Sequence, residues 1–134
     1  MHIFGPVSQY PYGPRRSYKP PDALMPSYHN LCETVGTVRI VVVHPSVYGT
    51  DIRCSADVGL AMGPNARGEC VTDMSASDAE IATLHVQGFR GVRFNFVSGG
   101  GTAVEKLDAM AARVAQASVR TRRTLFVATA RYCC

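Results

Sequence analysis

Between Asp22 and Val114 the chain keeps one rhythm, in which stretches with apolar residues three and four apart alternate with short β-branched or alternating runs, linked by glycine. Few folds accept that order. After the opening helix it reads strand, helix, strand, helix, strand, helix with short links, which calls for an α/β fold with a parallel sheet and right-handed crossovers.

The first helix is expected from Asp22, with Leu24, Tyr28, Leu31 and Val35 on one face and Gly36 at its end. Pro26 then has to lie in the first turn. Thr37 to Val43 is the strongest strand, because Val38, Ile40, Val41, Val42 and Val43 form the kind of run that is buried on both faces. A second helix is expected from Thr50 or Asp51, either able to cap it, to Gly63-Pro64, and Gly59 weakens it. Arg67 to Asp73 holds a shorter strand around Cys70 and Val71. Ser77-Asp78-Ala79-Glu80 matches a capping box, with Ile81, Leu84 and His85 on the buried side and Gly88 closing the helix. On that face His85 is read as a packed residue, not a ligand. Gly88 to Asn95 is the next strand, and Val104, Leu107, Met110, Ala111 and Val114 trace an amphipathic helix.

Two segments break the rhythm. Met1 to Pro21 is too rich in proline and glycine for regular structure, and its tyrosines suit an ordered loop that covers something. From Ser118 the chain turns arginine-rich and acid-free, offers Leu125 to Ala130 as a strand, and stops at Cys133-Cys134. Most of the net charge of +4 sits there, in Arg120, Arg122, Arg123 and Arg131, so the body is near balance and a nucleic-acid partner is not expected. No apolar run approaches a membrane span and no secretory signal opens the chain, so cytoplasm is the default location. Cys32, Cys54, Cys70, Cys133 and Cys134 show no metal-clamping spacing and are read as reduced thiols.

Function should gather where parallel strands end. Arg93 and Asn95 fall at such an end. The guanidinium offers a fork of donors matched to a carboxylate or phosphate, unless it only snorkels out of a rim or pairs with a helix acid. The turn His44 to Gly49 lies at another strand end. Asp51 and Asp73 follow strands too, but a helix cap and a turn are the favoured roles.

His2-Ile3-Phe4-Gly5-Pro6, Tyr18-Lys19-Pro20-Pro21-Asp22-Ala23, Pro45 to Asp51 and Gly88 to Asn95 together resemble one group of the amidohydrolase superfamily, its lactonase-like branch. The resemblance implies a partial (β/α)8 barrel of roughly the first four βα units. It further implies a hydrolase acting on a lactone or related carboxylated ring. By the same resemblance His2 is the second histidine of a His-x-His motif and the catalytic candidate. Tyr18, Ser46, Tyr48, Arg93 and Asn95 are the substrate-binding candidates, with Arg93 on the substrate's carboxylate.

No cofactor is expected. The branch admits a divalent metal, but a single histidine is a poor site for an ion that takes three or four ligands. The chain departs from the pattern where Met1 precedes His2, and where a second family arginine would fall it has Gly99. Such barrels need about 250 residues. Residues 1–117 are therefore expected to be a half-barrel, and 118–134 an atypical tail supplying a fifth strand or a non-native segment. Either the chain is an impaired amino-terminal fragment whose tail reflects a shifted reading frame or misplaced boundaries, or it is a reduced protein that completes its sheet by self-association; the change after Ala117 favours the first. A lactone or carboxylate, and a second copy through exposed sheet edges, are the expected partners. The alternative function is an inactive, self-associating small-molecule-binding remnant.

Overall fold

The computed structural model describes residues 1–14, 16, 18–95, 104–121 and 126–130. Its helices are α1 (Met25–Val35), α2 (Arg53–Met62), α3 (Asp78–Val86) and α4 (Leu107–Thr121), and its strands β1 (Ile40–Val43), β2 (Ala66–Cys70), β3 (Phe89–Asn95) and β4 (Phe126–Ala130). The strands form one sheet in the order β1-β2-β3-β4, every pair parallel. Beside β1, the Met1 ammonium donates to the Val41 carbonyl at 2.9 Å and the Val43 amide donates to the Met1 carbonyl at 2.8 Å, so Met1 to Ile3 runs as a further lane. This is the α/β arrangement that the rhythm requires, and it is consistent with part of a (β/α)8 barrel.

Strand alternation sorts the side chains. Ile40, Val42, Ala66, Cys70, Phe89, Val92 and Phe94 are buried against the helices, while Val41, Arg67, Glu69 and Arg93 stand on the other face. Between Gly68 and Glu69 the pairing slips from Gly68↔Phe89 to Glu69↔Gly91. A Cβ on Gly68 would sit 2.5 Å from the Phe89 ring, so glycine lets that ring lie flat on β2. Two apolar clusters result. One joins Ile3, Ile40, Val42, Val47, Tyr48 and Val58, and the other joins Cys70, Phe89, Val92, Phe94, Met110 and Val114.

Several local expectations need correction. The packed stripe of α1 is Met25, Tyr28 and Cys32, whereas Leu31 and Val35 are 52% and 62% exposed. Two stripes of helical spacing coexist there, and contact with the β1 cluster selects the one carrying Cys32. The β1 region is buried on one face only: Ile40 and Val42 pack towards the helices, while Val38 and Val41 are exposed. Helix α2 starts later than Thr50 or Asp51: Ile52 is its N-cap, and no side chain caps it there. Asp51 instead accepts from the Arg53 amide at 3.2 Å and grips the Arg53 guanidinium. The strand expected over Arg67 to Asp73 ends at Cys70.

Other features are as the sequence dictates. Pro26 lies in the first turn of α1, Gly36 ends that helix at φ 71°, and the Thr37 amide returns to the Cys32 carbonyl at 2.9 Å. Ser77 and Glu80 close a complete capping box on α3. Cys32, Cys54 and Cys70 are free and buried; Cys133 and Cys134 lie outside the described residues. The proline-rich opening is an ordered loop whose Tyr10 hydroxyl donates to Asp57 at 2.7 Å and whose Gly13 amide donates to the Val47 carbonyl at 2.7 Å. Helix α4 runs through the boundary expected between 117 and 118, and β4 falls inside the strand expected in the tail.

Candidate functional site

The side chains of interest collect where β1, β2 and β3 approach their carboxy-terminal ends. His44 follows β1 directly and is fully buried. Its Nε2 lies 2.9 Å from the Gly49 carbonyl, which can only accept, so Nε2 carries the proton and Nδ1 accepts from the Ser55 hydroxyl at 3.1 Å. Burial pushes its pKa down to about 4, which keeps the ring neutral. A neutral ring with both nitrogens bonded is a bracket: it ties the turn after β1 to α2.

That bracket holds Arg93. The arginine is 6% exposed, and its Nη1 donates to the His44 carbonyl at 3.1 Å. Because β3 and β1 are separated by β2, the side chain has to arch over β2 to make this bond. Beneath the arch, on the same face, stands Glu69, half-buried. Burial raises the Glu69 pKa, while the positive charges of Arg93 and the amino terminus oppose that rise. His2 comes from the flanking lane. Its Nδ1 lies 2.8 Å from the Val43 carbonyl, so Nδ1 donates and Nε2 is the lone-pair nitrogen of the neutral ring. Partial burial lowers its pKa, and the Arg93 charge lowers it further. The Met1 ammonium, also lowered by burial, is drawn back up by Glu69.

Of the expected site residues, His2 and Arg93 are therefore brought within electrostatic reach of each other. Ser46 is half-buried in the single helical turn after β1, on the same rim. Tyr48 ends that turn, but it is 3% exposed and its hydroxyl accepts the Gly5 amide at 3.1 Å, so it braces the loop. Burial drives its hydroxyl pKa up. Tyr18 is 43% exposed on the opening loop. The Asn95 backbone pairs with Ala130 at the end of β3, and its side chain lies outside the described residues, as does Gly99. Asp73 accepts from the Ser75 amide at 2.8 Å and from the Ser75 hydroxyl, the turn role expected of it. His85 is buried on α3, as expected of a packed residue.

Two residues that shape this site went unnamed among the sequence candidates. His44 carried a usable signal, since it follows the strongest apolar run of the chain directly. Glu69 carried a weaker one: in Ala66 to Cys70 it alternates with small buried residues, the pattern of a side chain on the face away from the helices. Among the described residues no group of three or more His, Cys, Asp or Glu could hold a metal ion, and no helix is long and apolar enough to cross a membrane.

A parallel α/β sheet whose arginine and histidine stand near the strand ends is the arrangement of part of an α/β barrel with its candidate site at the strand ends. The amidohydrolase family matches residues 1–130, and the chain belongs to it. It is 43% identical over 96 residues to a 2-pyrone-4,6-dicarboxylate hydrolase of Comamonas testosteroni, covering 72% of this chain and 32% of that protein. Over 96 residues it is 35% identical to a 4-sulfomuconolactone hydrolase of Rhizobium radiobacter, with the same shares covered. The chain thus spans about a third of the length of these curated relatives. An apo crystal structure of an Agrobacterium tumefaciens protein shares the fold, with a TM-score of 0.80 at 22% identity over 96% of this chain and 44% of that one.

Proposed function

We propose that this chain carries the substrate-anchoring part of a hydrolase acting on lactones or related carboxylated rings. The observation that carries the proposal is the buried Arg93, fixed by the His44 carbonyl on the face shared with His2. A guanidinium held there pairs with a ring carboxylate and orients the ester carbonyl. The named activities of the sequence relatives point to the same substrate class.

His2 is the proton acceptor in this proposal. As the oxygen of water bonds to the lactone carbonyl carbon, its proton passes to His2 Nε2, and the carbonyl becomes an oxyanion. Collapse breaks the ring C–O bond, and the proton returns to the departing oxygen. Ser46 and Tyr18 are the proposed hydroxyl donors to the substrate, and Asn95 is the proposed amide. Tyr48 acts one step back, by holding the turn that carries Ser46.

The purified chain should hydrolyse a carboxylated lactone, with 2-pyrone-4,6-dicarboxylate and 4-sulfomuconolactone as the first substrates to try. Arg93→Ala should raise KM most strongly. His2→Gln should lower kcat by about 100-fold or more while KM holds. Absence of any turnover, with oligomers that grow with concentration, would instead favour an inactive self-associating remnant.

A further inference from the structure

Ser55 places a hydroxyl in the core where packing alone would be served by alanine. It lies in the first turn of α2, 2% exposed, between the buried Cys54 and Ala56. A serine inside a helix commonly bonds the backbone of its own preceding turn. Here the hydroxyl instead meets His44 Nδ1 at 3.1 Å.

That bond secures a ring which spans its own turn. His44 Nε2 reaches the Gly49 carbonyl at 2.9 Å, and Gly49 takes a positive φ of 62°, which glycine permits. Within the turn the Tyr48 amide donates to the Pro45 carbonyl at 3.3 Å and the Gly49 amide to the Ser46 carbonyl at 3.1 Å. On its upstream side His44 is held through its amide, which donates to the Glu69 carbonyl at 2.9 Å. Its downstream side is different. The His44 carbonyl that receives Arg93 Nη1 belongs to the peptide entering Pro45, and that peptide has no N–H through which it could be fixed. The direction of the carbonyl therefore depends on the conformation of His44, which its braced ring restrains.

Resting on Arg93 as the carboxylate anchor, we propose that Ser55 is a positioning residue for substrate binding: by fixing the His44 ring it sets the His44 carbonyl, and through it the orientation in which the Arg93 guanidinium receives the substrate's carboxylate. Without the hydroxyl, Nδ1 becomes a buried acceptor stripped of its donor, which favours turning the ring towards water. The guanidinium then has to be ordered as the ligand binds, and affinity falls while the fold remains.

The test is calorimetric binding of 2-pyrone-4,6-dicarboxylate to the full chain at neutral pH, which reads affinity and stoichiometry separately. Ser55→Ala should weaken Kd by about tenfold, the scale of one lost hydrogen bond, at the stoichiometry of wild type. Arg93→Ala should weaken it by about 100-fold or abolish binding. A merely structural Ser55 would lower the fraction of competent protein, so reduced stoichiometry at the wild-type Kd overturns the proposal, as does a Ser55→Ala variant that binds like wild type. Should Ser55→Ala lose its circular dichroism, Ser55→Cys, of similar volume and a weaker donor, is held to the same criteria. If Arg93→Ala weakens binding and the Ser55 variant does not, the proposed function stands and only the role of Ser55 falls. If Arg93→Ala binds as tightly as wild type, the anchor is wrong and both fall; wild type that does not bind the ring also refutes both.

Discussion

At the scale of single residues, the site depends on a histidine that does no chemistry. His44 is neutral because burial makes its charged form costly, and its pKa of about 4 lies well below the ordinary 6.5. Below pH 6.5 the unfolded chain takes up a proton that the native ring refuses. The unfolded state then binds more protons, so stability falls as pH falls, and the loss is complete once pH passes about 4. The full effect is roughly 3 kcal/mol. Glu69 works in the opposite sense, because its raised native pKa lets the folded state bind the extra proton. Urea unfolding at pH 7 and pH 4.5 should therefore show a net loss in wild type and a smaller one in His44→Gln, which keeps a side-chain amide in the cavity but cannot titrate. An equal loss in both would mean that other groups carry the acid response.

Elements were more legible in the sequence than contacts were. The capping box was readable because Ser77 and Glu80 interact over a single turn, and the structure closes both of its bonds. Ser77→Ala should cost about 1 kcal/mol in denaturant unfolding. The packed stripe of α1 was only partly readable, because the expected face of Leu24, Tyr28, Leu31 and Val35 and the packed stripe of Met25, Tyr28 and Cys32 both advance by threes and fours and share Tyr28, and only the partner surface decides between them. A double substitution of Leu31 and Val35 by lysine should therefore shift stability by less than about 1 kcal/mol, as surface changes do. Tyr28→Ala should cost more, since its ring packs on the cluster around Ile40. Arg93 was legible for the same reason as the capping box: strand alternation and a strand end suffice to place it. The Gly49 and Ser55 bonds of His44 were not, because they depend on how a turn folds back on a helix.

Across the whole molecule, two apolar clusters share the elements between them. Helix α2 sends Cys54 and Val58 into one cluster and Ala56 into the other, while β2 gives Ala66 to the first and Cys70 to the second. Neither half can lose its packing without moving α2 and β2, and the Arg93 arch adds a polar tie from β3 back to the end of β1. The halves should therefore unfold together. Tyr10, Tyr12, Tyr28 and Tyr48 all belong to the first cluster, and the chain has no tryptophan, so tyrosine emission reports mainly on that half. Phe94, fully buried, sits in the other. Phe94→Ala should cost about 3–5 kcal/mol, and the tyrosine-detected urea midpoint should fall in step with the one followed by far-ultraviolet circular dichroism. A tyrosine transition that stays at the wild-type midpoint would show that the two clusters melt independently, and that α2 and β2 do not couple them.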